Sequence, residues 1–320
     1  MIPLVINKEQ VSRSLPMISC ISLMEEAFKE LANGNALQPL RSLMWLPDRK
    51  GLLGMMPAYS SGKKTMGIKV ISAFSGNREF NLPSHQGAVL LFESEQGQLL
   101  SVIDADEITA IRTAAVSGLA TRLLARDIPS TLALLGSGTQ ALQHVEAMIC
   151  VRNITTVKVW SRNPAHAEQL RDEITKKHKI KTLVTVDEKE TVTGADIICT
   201  CTASPTPVVY GEWIKRGAHI NAVGSCTPVT RELDTAAIVQ AKLFTDRYES
   251  LFNESGDFLI PKKEGAITDD HVKGELSEVL TGIKKGRESN EEITVFKSLG
   301  LAIEDIYAAD YVYRKLVAEK

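Results

Sequence analysis

The sequence predicts an α/β chain in which a mainly antiparallel sheet precedes a doubly wound parallel sheet. Three observations support this. Between residues 51 and 105 the apolar pattern alternates with period two, and beyond residue 130 short apolar runs alternate with helical patterns. The first of those later runs, TLALLG, opens directly into a glycine-bearing loop and a helix. With 320 residues, 44% hydrophobic and 24% charged, the chain is long enough for two domains that each bury a core.

Residues 17–33 have the spacing of an amphipathic helix, stopped by Asn33-Gly34-Asn35. GLLGMMPAYS, MGIKVISAF, GAVLLFES and GQLLSVIDA follow as strands, with Glu95-Gln96-Gly97 as a tight hairpin turn between the last two. From Glu107, apolar residues at 108, 111, 115 and 119 predict a helix over 107–126, with Asp104 and Asp106 available to cap it. Asp127-Ile128-Pro129-Ser130 is a polar, proline-containing break suited to a domain boundary. Beyond it TLALLG, VKVWS, KTLVTV, ADIICTCT, HINAVGS and KLFTDR read as six strands of the parallel sheet. The tail from about Thr294 reads as a helix without a strand partner that returns to the first domain. The expected division is therefore 1–126, completed by 294–320, around a nucleotide-binding domain at 127–293.

Composition excludes several classes. Thirty-seven lysines and arginines against 39 acids leave no field to hold a polyanion, so nucleic-acid binding has no electrostatic basis. The one basic run, Lys176 to Lys181, reads as a solvated helix end. No segment approaches the roughly 18 to 20 apolar residues of a membrane span, and MIPLVINKEQ lacks a basic region followed by an apolar core, so a cytoplasmic protein is expected. Five cysteines at 20, 150, 199, 201 and 226 form neither a metal-ligand pattern nor a disulfide framework; Cys199 and Cys201, alternating in a strand, read as small buried residues.

The loop Gly136-Ser137-Gly138-Thr139-Gln140-Ala141 carries the chemistry of a dinucleotide phosphate site. Gly136 permits the tight turn, Gly138 lets backbone N–H groups approach a diphosphate, and Ala141 lets helix and strand pack closely. The helix amino end adds partial positive charge. Two glycines in a strand-to-helix turn are weak evidence alone; here the strand, the helix and the next strand all agree. That next strand, VKVW, ends in Ser161-Arg162-Asn163, where an NAD site normally carries an acid for the ribose hydroxyls. Ser161 can donate to a 2′-phosphate and Arg162 can pair with it, so NADPH is the expected cofactor, with NADH as an alternative. The opposing reading makes Arg162 a solvated turn residue and cofactor choice loose.

Lys69 lies inside MGIKVISAF among Ile68, Val70 and Ile71, where a charge is costly without a partner or a function. Arg41 in LQPLRSLMW and Arg112 on the long helix are two further cations near the same sheet. Converging, the three would hold the carboxylate of an amino, imino or keto acid; a lone helical arginine is more commonly solvated or salt-bridged.

QPLR at 38, GIKV at 67, LPSHQ at 82, ITAIRTAAVSGLA at 108, LGSGTQA at 135, GAHINAVGS at 217, REL at 231, ESGD at 254 and VFKSLGLAIED at 295 together resemble the ornithine cyclodeaminase and mu-crystallin family over nearly the whole chain. The resemblance implies a homodimer, with a Rossmann domain inserted into an α+β dimerisation and substrate-binding domain. It implies that Arg41, Lys69 and Arg112 bind the substrate carboxylate, with Leu299 beside the substrate. It also implies that Ser84, Arg112, Thr113, Gly138, Thr139, Gln140, Thr202, Val223 and Ser298 line the cofactor. His85 matches a histidine near the nicotinamide in the mu-crystallin type, either a proton donor or an orienting residue.

One departure selects the branch. Ornithine cyclodeaminases and the related alanine dehydrogenases carry an aspartate soon after NAVG, where this chain has Cys226, and the lysine that follows in the cyclodeaminases is replaced by Thr230. A thiol cannot anchor an ammonium as a carboxylate does. The resemblance therefore implies a ketimine reductase that converts 1-pyrroline-2-carboxylate or 1-piperideine-2-carboxylate to L-proline or L-pipecolate, with Lys69 or His85 as the candidate acid. The alternatives are an ornithine cyclodeaminase, an alanine-dehydrogenase-like enzyme, or a non-catalytic NADPH-dependent binding protein.

Overall fold

The computed structural model describes residues 2–80 and 82–319. The chain forms two compact units, one made of Met1–Arg112 and Gly300–Lys320, the other of Thr113–Leu299.

The first unit is built on one sheet with strands β1 (Leu4–Ile6), β2 (Ala36–Leu37), β3 (Ser42–Trp45), β4 (Leu52–Ser60), β5 (Thr65–Ala73), β6 (His85–Glu93) and β7 (Leu99–Asp104). The order is β1-β7-β6-β5-β4-β2, with β3 also on β4. All pairs are antiparallel except β1 with β7, so the expected meander is present with one parallel edge added. The β6–β7 turn lies where Glu95-Gln96-Gly97 predicts it. Gly97 takes φ +74°, and the Glu93 carboxylate accepts the backbone N–H groups of Glu95, Gln96 and Gln98 at 2.8 Å each.

Register then sorts the two faces. Met56, Lys69, Val89 and Ile103 form a cross-strand row, all buried under the C-terminal helix Ala302–Ala318, which also packs on helix Met17–Ala32. The adjacent row, Pro57, Ile68, Leu90 and Val102, lies on the opposite face and is only partly covered. Lys69 is thus the charged member of a buried row.

The second unit holds eight strands: β8 (Ser130–Leu135), β9 (Ile154–Trp160), β10 (Lys181–Val184), β11 (Ile197–Thr200), β12 (His219–Ala222), β13 (Ala241–Thr245), β14 (Val272–Glu275) and β15 (Ile293–Lys297). They run in the order β10-β9-β8-β11-β12-β15-β13-β14, every pair parallel. The six expected strands are all present. Strand order reverses between β8 and β11, which puts the glycine loop at the topological switch point where doubly wound sheets bind ligands.

Two features correct the sequence reading. Ile293–Lys297, expected to begin the final helix, is a fully buried strand between β12 and β13, and the helix begins only at Ala302. A five-residue segment, Ile-Thr-Val-Phe-Lys, buried at every position has no exposed face and so no period to distinguish strand from helix. The units also divide at Arg112/Thr113, inside the helix Ala105–Leu124, rather than at the break after Arg126. The latter half of this helix is tied into the second unit's core: the His144 imidazole meets Ser117 Oγ at 2.9 Å, and Asn221 Nδ2 donates to Thr121 Oγ1 at 2.9 Å. At the helix start Asp104 is the cap, its Oδ1 accepting from Glu107 N at 2.8 Å, while Asp106 falls within the first turn.

Candidate active site

In the first unit the expected cations converge, and they arrive already paired. Lys69 Nζ lies 2.7 Å from Asp305 Oδ2 and donates to Asp305 Oδ1 at 2.9 Å and to Thr109 Oγ1 at 3.3 Å. Arg112 binds the same Asp305 Oδ1 through Nε at 2.9 Å and Glu304 Oε2 through Nη1 at 2.6 Å. Lys69, Arg112, Glu304 and Asp305 are all buried. Arg41 Nη2 donates to the Gly300 carbonyl at 3.0 Å. Gly300 itself takes φ +81°, and a Cβ there would lie 2.6 Å from Arg112 Nη1, so only glycine lets this backbone pass the guanidinium. Three cations face two carboxylates, which leaves a net positive site for one further carboxylate.

The electrostatics follow from this packing. Burial, reinforced by the Arg112 and Arg41 charges, lowers Lys69 to about 8, while Asp305 opposes the shift. Burial also works against the Arg112 charge, but Asp305 and Glu304 overcome it and hold the guanidinium firmly cationic. Ser84 and His85 stand at the start of β6, where Ser84 Oγ meets His85 Nδ1 at 3.1 Å. Desolvation and the Lys69 charge hold His85 below the ordinary imidazole value, so it is neutral at neutral pH.

In the second unit Gly136 takes φ +113°, and a Cβ there would lie 2.4 Å from the Cys201 carbonyl. Gly138 is the N-cap of helix Thr139–Val151, and a Cβ there would meet nothing within 4 Å. The turn thus needs glycine at 136 for the protein's own backbone, while at 138 it leaves open space above the helix amino end. That is the cradle a diphosphate requires, and it includes Thr139 and Gln140. Ser137 Oγ donates to Ser161 Oγ at 2.8 Å, which leaves the Ser161 proton for another acceptor. Arg162 is exposed. Asn163 Oδ1 accepts from Ala165 N at 3.0 Å and caps helix Pro164–His178. Thr113 is buried on the long helix.

The strand-end loops that carry Thr202, Val223 and Ser298 are organised by residues to which the sequence reading gave no role. The buried Glu232 carboxylate accepts from Thr200 Oγ1 (2.7 Å), Thr202 N (2.7 Å), Thr202 Oγ1 (2.6 Å) and Gly224 N (2.7 Å). Asp257 Oδ1 accepts from Glu232 N and Leu233 N at 2.9 Å each. Lys297, fully buried at the end of β15, pairs with Asp257 Oδ2 at 3.0 Å and donates to the carbonyls of Ala222 (3.2 Å) and Ser225 (2.5 Å). Burial opposes the Lys297 charge, yet Asp257 and Glu232 hold it above the ordinary lysine value. Ser298 N donates to Ala222 O at 3.0 Å, and Leu299 N to Asp246 Oδ2 at 2.6 Å. Cys226 Sγ stands 3.6 Å from Val223 O and 3.9 Å from Ser298 O. Thr230 lies nearby, its carbonyl accepting from Ser225 Oγ at 2.6 Å. A lysine in a short apolar run and two acids in adjacent motifs were the only sequence signals of this network.

The model of the ornithine cyclodeaminase/mu-crystallin family matches residues 2–320. The chain belongs to that family. Mouse (Mus musculus) ketimine reductase mu-crystallin is 38% identical over 315 residues, covering 97% of this chain and 96% of its own. The Thermococcus litoralis Delta(1)-pyrroline-2-carboxylate reductase, solved with NADH and L-proline, superposes with a TM-score of 0.96 at 38% identity, covering 99% of this chain and 98% of that one. An archaeal alanine dehydrogenase dimer with bound NAD gives 0.94 at 33% identity, with 99% and 97% covered. The family assignment made from the motifs is therefore shown, as is the α/β fold.

Proposed function

We propose that this family member is an NAD(P)H-dependent ketimine reductase that converts 1-pyrroline-2-carboxylate or 1-piperideine-2-carboxylate to L-proline or L-pipecolate. The observation that carries the reading is the cluster of buried Lys69 and Arg112 with partly buried Arg41, which has one positive charge in excess of Asp305 and Glu304. It suits a substrate with one carboxylate and no second anionic group. Likeness to relatives named ketimine reductase and Delta(1)-pyrroline-2-carboxylate reductase supports it. Bound in the glycine cradle, the reduced dinucleotide supplies the hydride that the imine carbon accepts. Arg41 and Arg112 fix the substrate carboxylate, which turns an encounter into an oriented approach. Lys69 gives the imine nitrogen its proton and is recharged from solvent, the C=N bond becoming CH–NH. Lys69 suits this role better than His85: a group titrating at about 8 is largely protonated at pH 7, whereas an imidazole held below its usual value is not. That leaves His85, beside Ser84, the orienting role rather than the acid's. Purified protein given NADPH and either imine should consume the cofactor and release the L-amino acid; no consumption with either imine excludes the reading.

The cofactor preference rests on Ser161 and Arg162. Arg162→Ala should raise KM for NADPH by about ten- to a hundredfold, the equivalent of a charge-assisted hydrogen bond of about 1.5 to 3 kcal/mol, and leave KM for NADH nearly unchanged. Equal effects on the two cofactors would remove the preference for NADPH.

The working form is a homodimer, formed across the outer face of the first unit's sheet. There Pro57, Ile68, Leu90 and Val102 align across four strands, and a groove of about 430 Å³ is lined by Leu37, Tyr59, Met66 and Phe92 among others. Likeness to an alanine dehydrogenase dimer supports a second copy as the occupant. Light scattering should give twice the chain mass, and Ile68→Glu with Leu90→Glu should halve it; a monomeric wild type contradicts the assembly. None of the helices among the described residues is long and apolar enough to cross a membrane; the chemistry needs no membrane, and a cytoplasmic site of action is part of the same reading.

A further inference from the structure

We propose that Asp305 is the positioning residue of the site: its carboxylate, shared between Lys69 and Arg112, fixes the ammonium and the guanidinium against one another and sets the protonation of Lys69. The inference rests on the reading of Lys69 as proton donor. Its basis is geometric. Asp305 is fully buried on the C-terminal helix, and its two oxygens take Lys69 Nζ at 2.7 and 2.9 Å, while Oδ1 also takes Arg112 Nε at 2.9 Å. Such a shared acceptor fixes the relative placement of two cations that would otherwise repel each other. Glu304, one residue earlier, holds Arg112 at Nη1, so the two acids divide the work.

The groups acting on Lys69 come from several elements. Arg112 and Thr109 lie on the long helix, Arg41 on the segment before β3, His85 on β6, and Asp305 on the C-terminal helix, where Glu304 pairs with Arg112. From helix Met17–Ala32 Cys20 also faces the Arg112–Asp305 pair, and burial pushes its thiol far above the usual range, so it stays uncharged. Asp305 is the carboxylate that raises Lys69 against desolvation and the two arginines. Remove its charge and Lys69 gives up its proton at lower pH.

The experiment is the pH profile of kcat/KM for imine reduction. The wild type should lose activity as pH rises through about 8, where the ammonium is deprotonated. Asp305→Asn should move that limb down by about 1 to 3 pH units, the usual effect of an opposite charge at this range, and raise KM as Arg112 loses its register. Asp305→Glu, which keeps the charge, should return the limb toward the wild-type position. Glu304→Gln should raise KM with a smaller displacement of the limb. If Asp305→Asn folds and its limb stays at the wild-type pH, the inference is wrong. Should Asp305→Asn not fold, the Asp305→Glu and Glu304→Gln profiles decide: limbs displaced equally in both contradict the assignment. A wild type that reduces no imine, or one that keeps its activity as Lys69→Met, refutes instead the reading on which the inference stands.

Discussion

Lys69→Met is expected to lower kcat/KM for imine reduction by about 10²- to 10⁴-fold while NADH and NADPH still bind. Methionine keeps the length and apolar stem of lysine, so the buried row of Met56, Val89 and Ile103 remains filled. The loss of the ammonium leaves Asp305 still bound by Arg112 Nε at 2.9 Å, so the carboxylate is not stranded. The change therefore removes the proposed proton donor with little harm to the fold. Steady-state kinetics, cofactor fluorescence titration and far-ultraviolet circular dichroism check the three parts separately. Activity within tenfold of wild type would make Lys69 a bystander; loss of the folded spectrum would make it structural.

The second large effect is on stability. Lys297→Met should destabilise the protein by about 3 to 5 kcal/mol, because it removes the cation from a fully buried cluster and leaves Asp257 Oδ2 without its ion-pair partner. The effect should reach the cofactor as well. Lys297 ties the Ala222 and Ser225 carbonyls together, and Glu232 fixes Thr202 and Gly224, so the loops carrying Thr202, Val223 and Ser298 should loosen. Urea unfolding reads the first consequence and the dissociation constant for reduced cofactor the second. A loss below about 1 kcal/mol would show that the cluster carries no net stabilisation.

These two lysines also show which parts of the molecule the sequence discloses. Lys69 stands out because it interrupts an alternating strand, where a charge on the apolar face needs a reason. Lys297 does not, because its strand is buried all round and has no alternation to violate. The same contrast separates the cations from their partners. Arg41, Lys69 and Arg112 were identified as a set, but Glu304 and Asp305 sit in a helical pattern where acids ordinarily face water; here residues 302–310 of that helix are buried throughout. The glycine loop and its flanking strands were readable because φ +113° at Gly136 and open space at Gly138 leave a fixed chemical signature. Strand β14, short and bounded by polar segments, left none.

Cys226 is the residue on which the proposed choice of imine reduction over cyclising deamination turns. Its sulfur rests against two backbone carbonyls and offers no carboxylate to a substrate ammonium. The most direct test is a parallel incubation of the purified protein, with NADPH and 1-pyrroline-2-carboxylate in one vessel and NAD with L-ornithine in the other, following L-proline and ammonia. Stoichiometric conversion of the imine to L-proline with oxidation of NADPH, and no ammonia from ornithine, is the predicted result; ammonia and proline from ornithine, with the imine untouched, would contradict it.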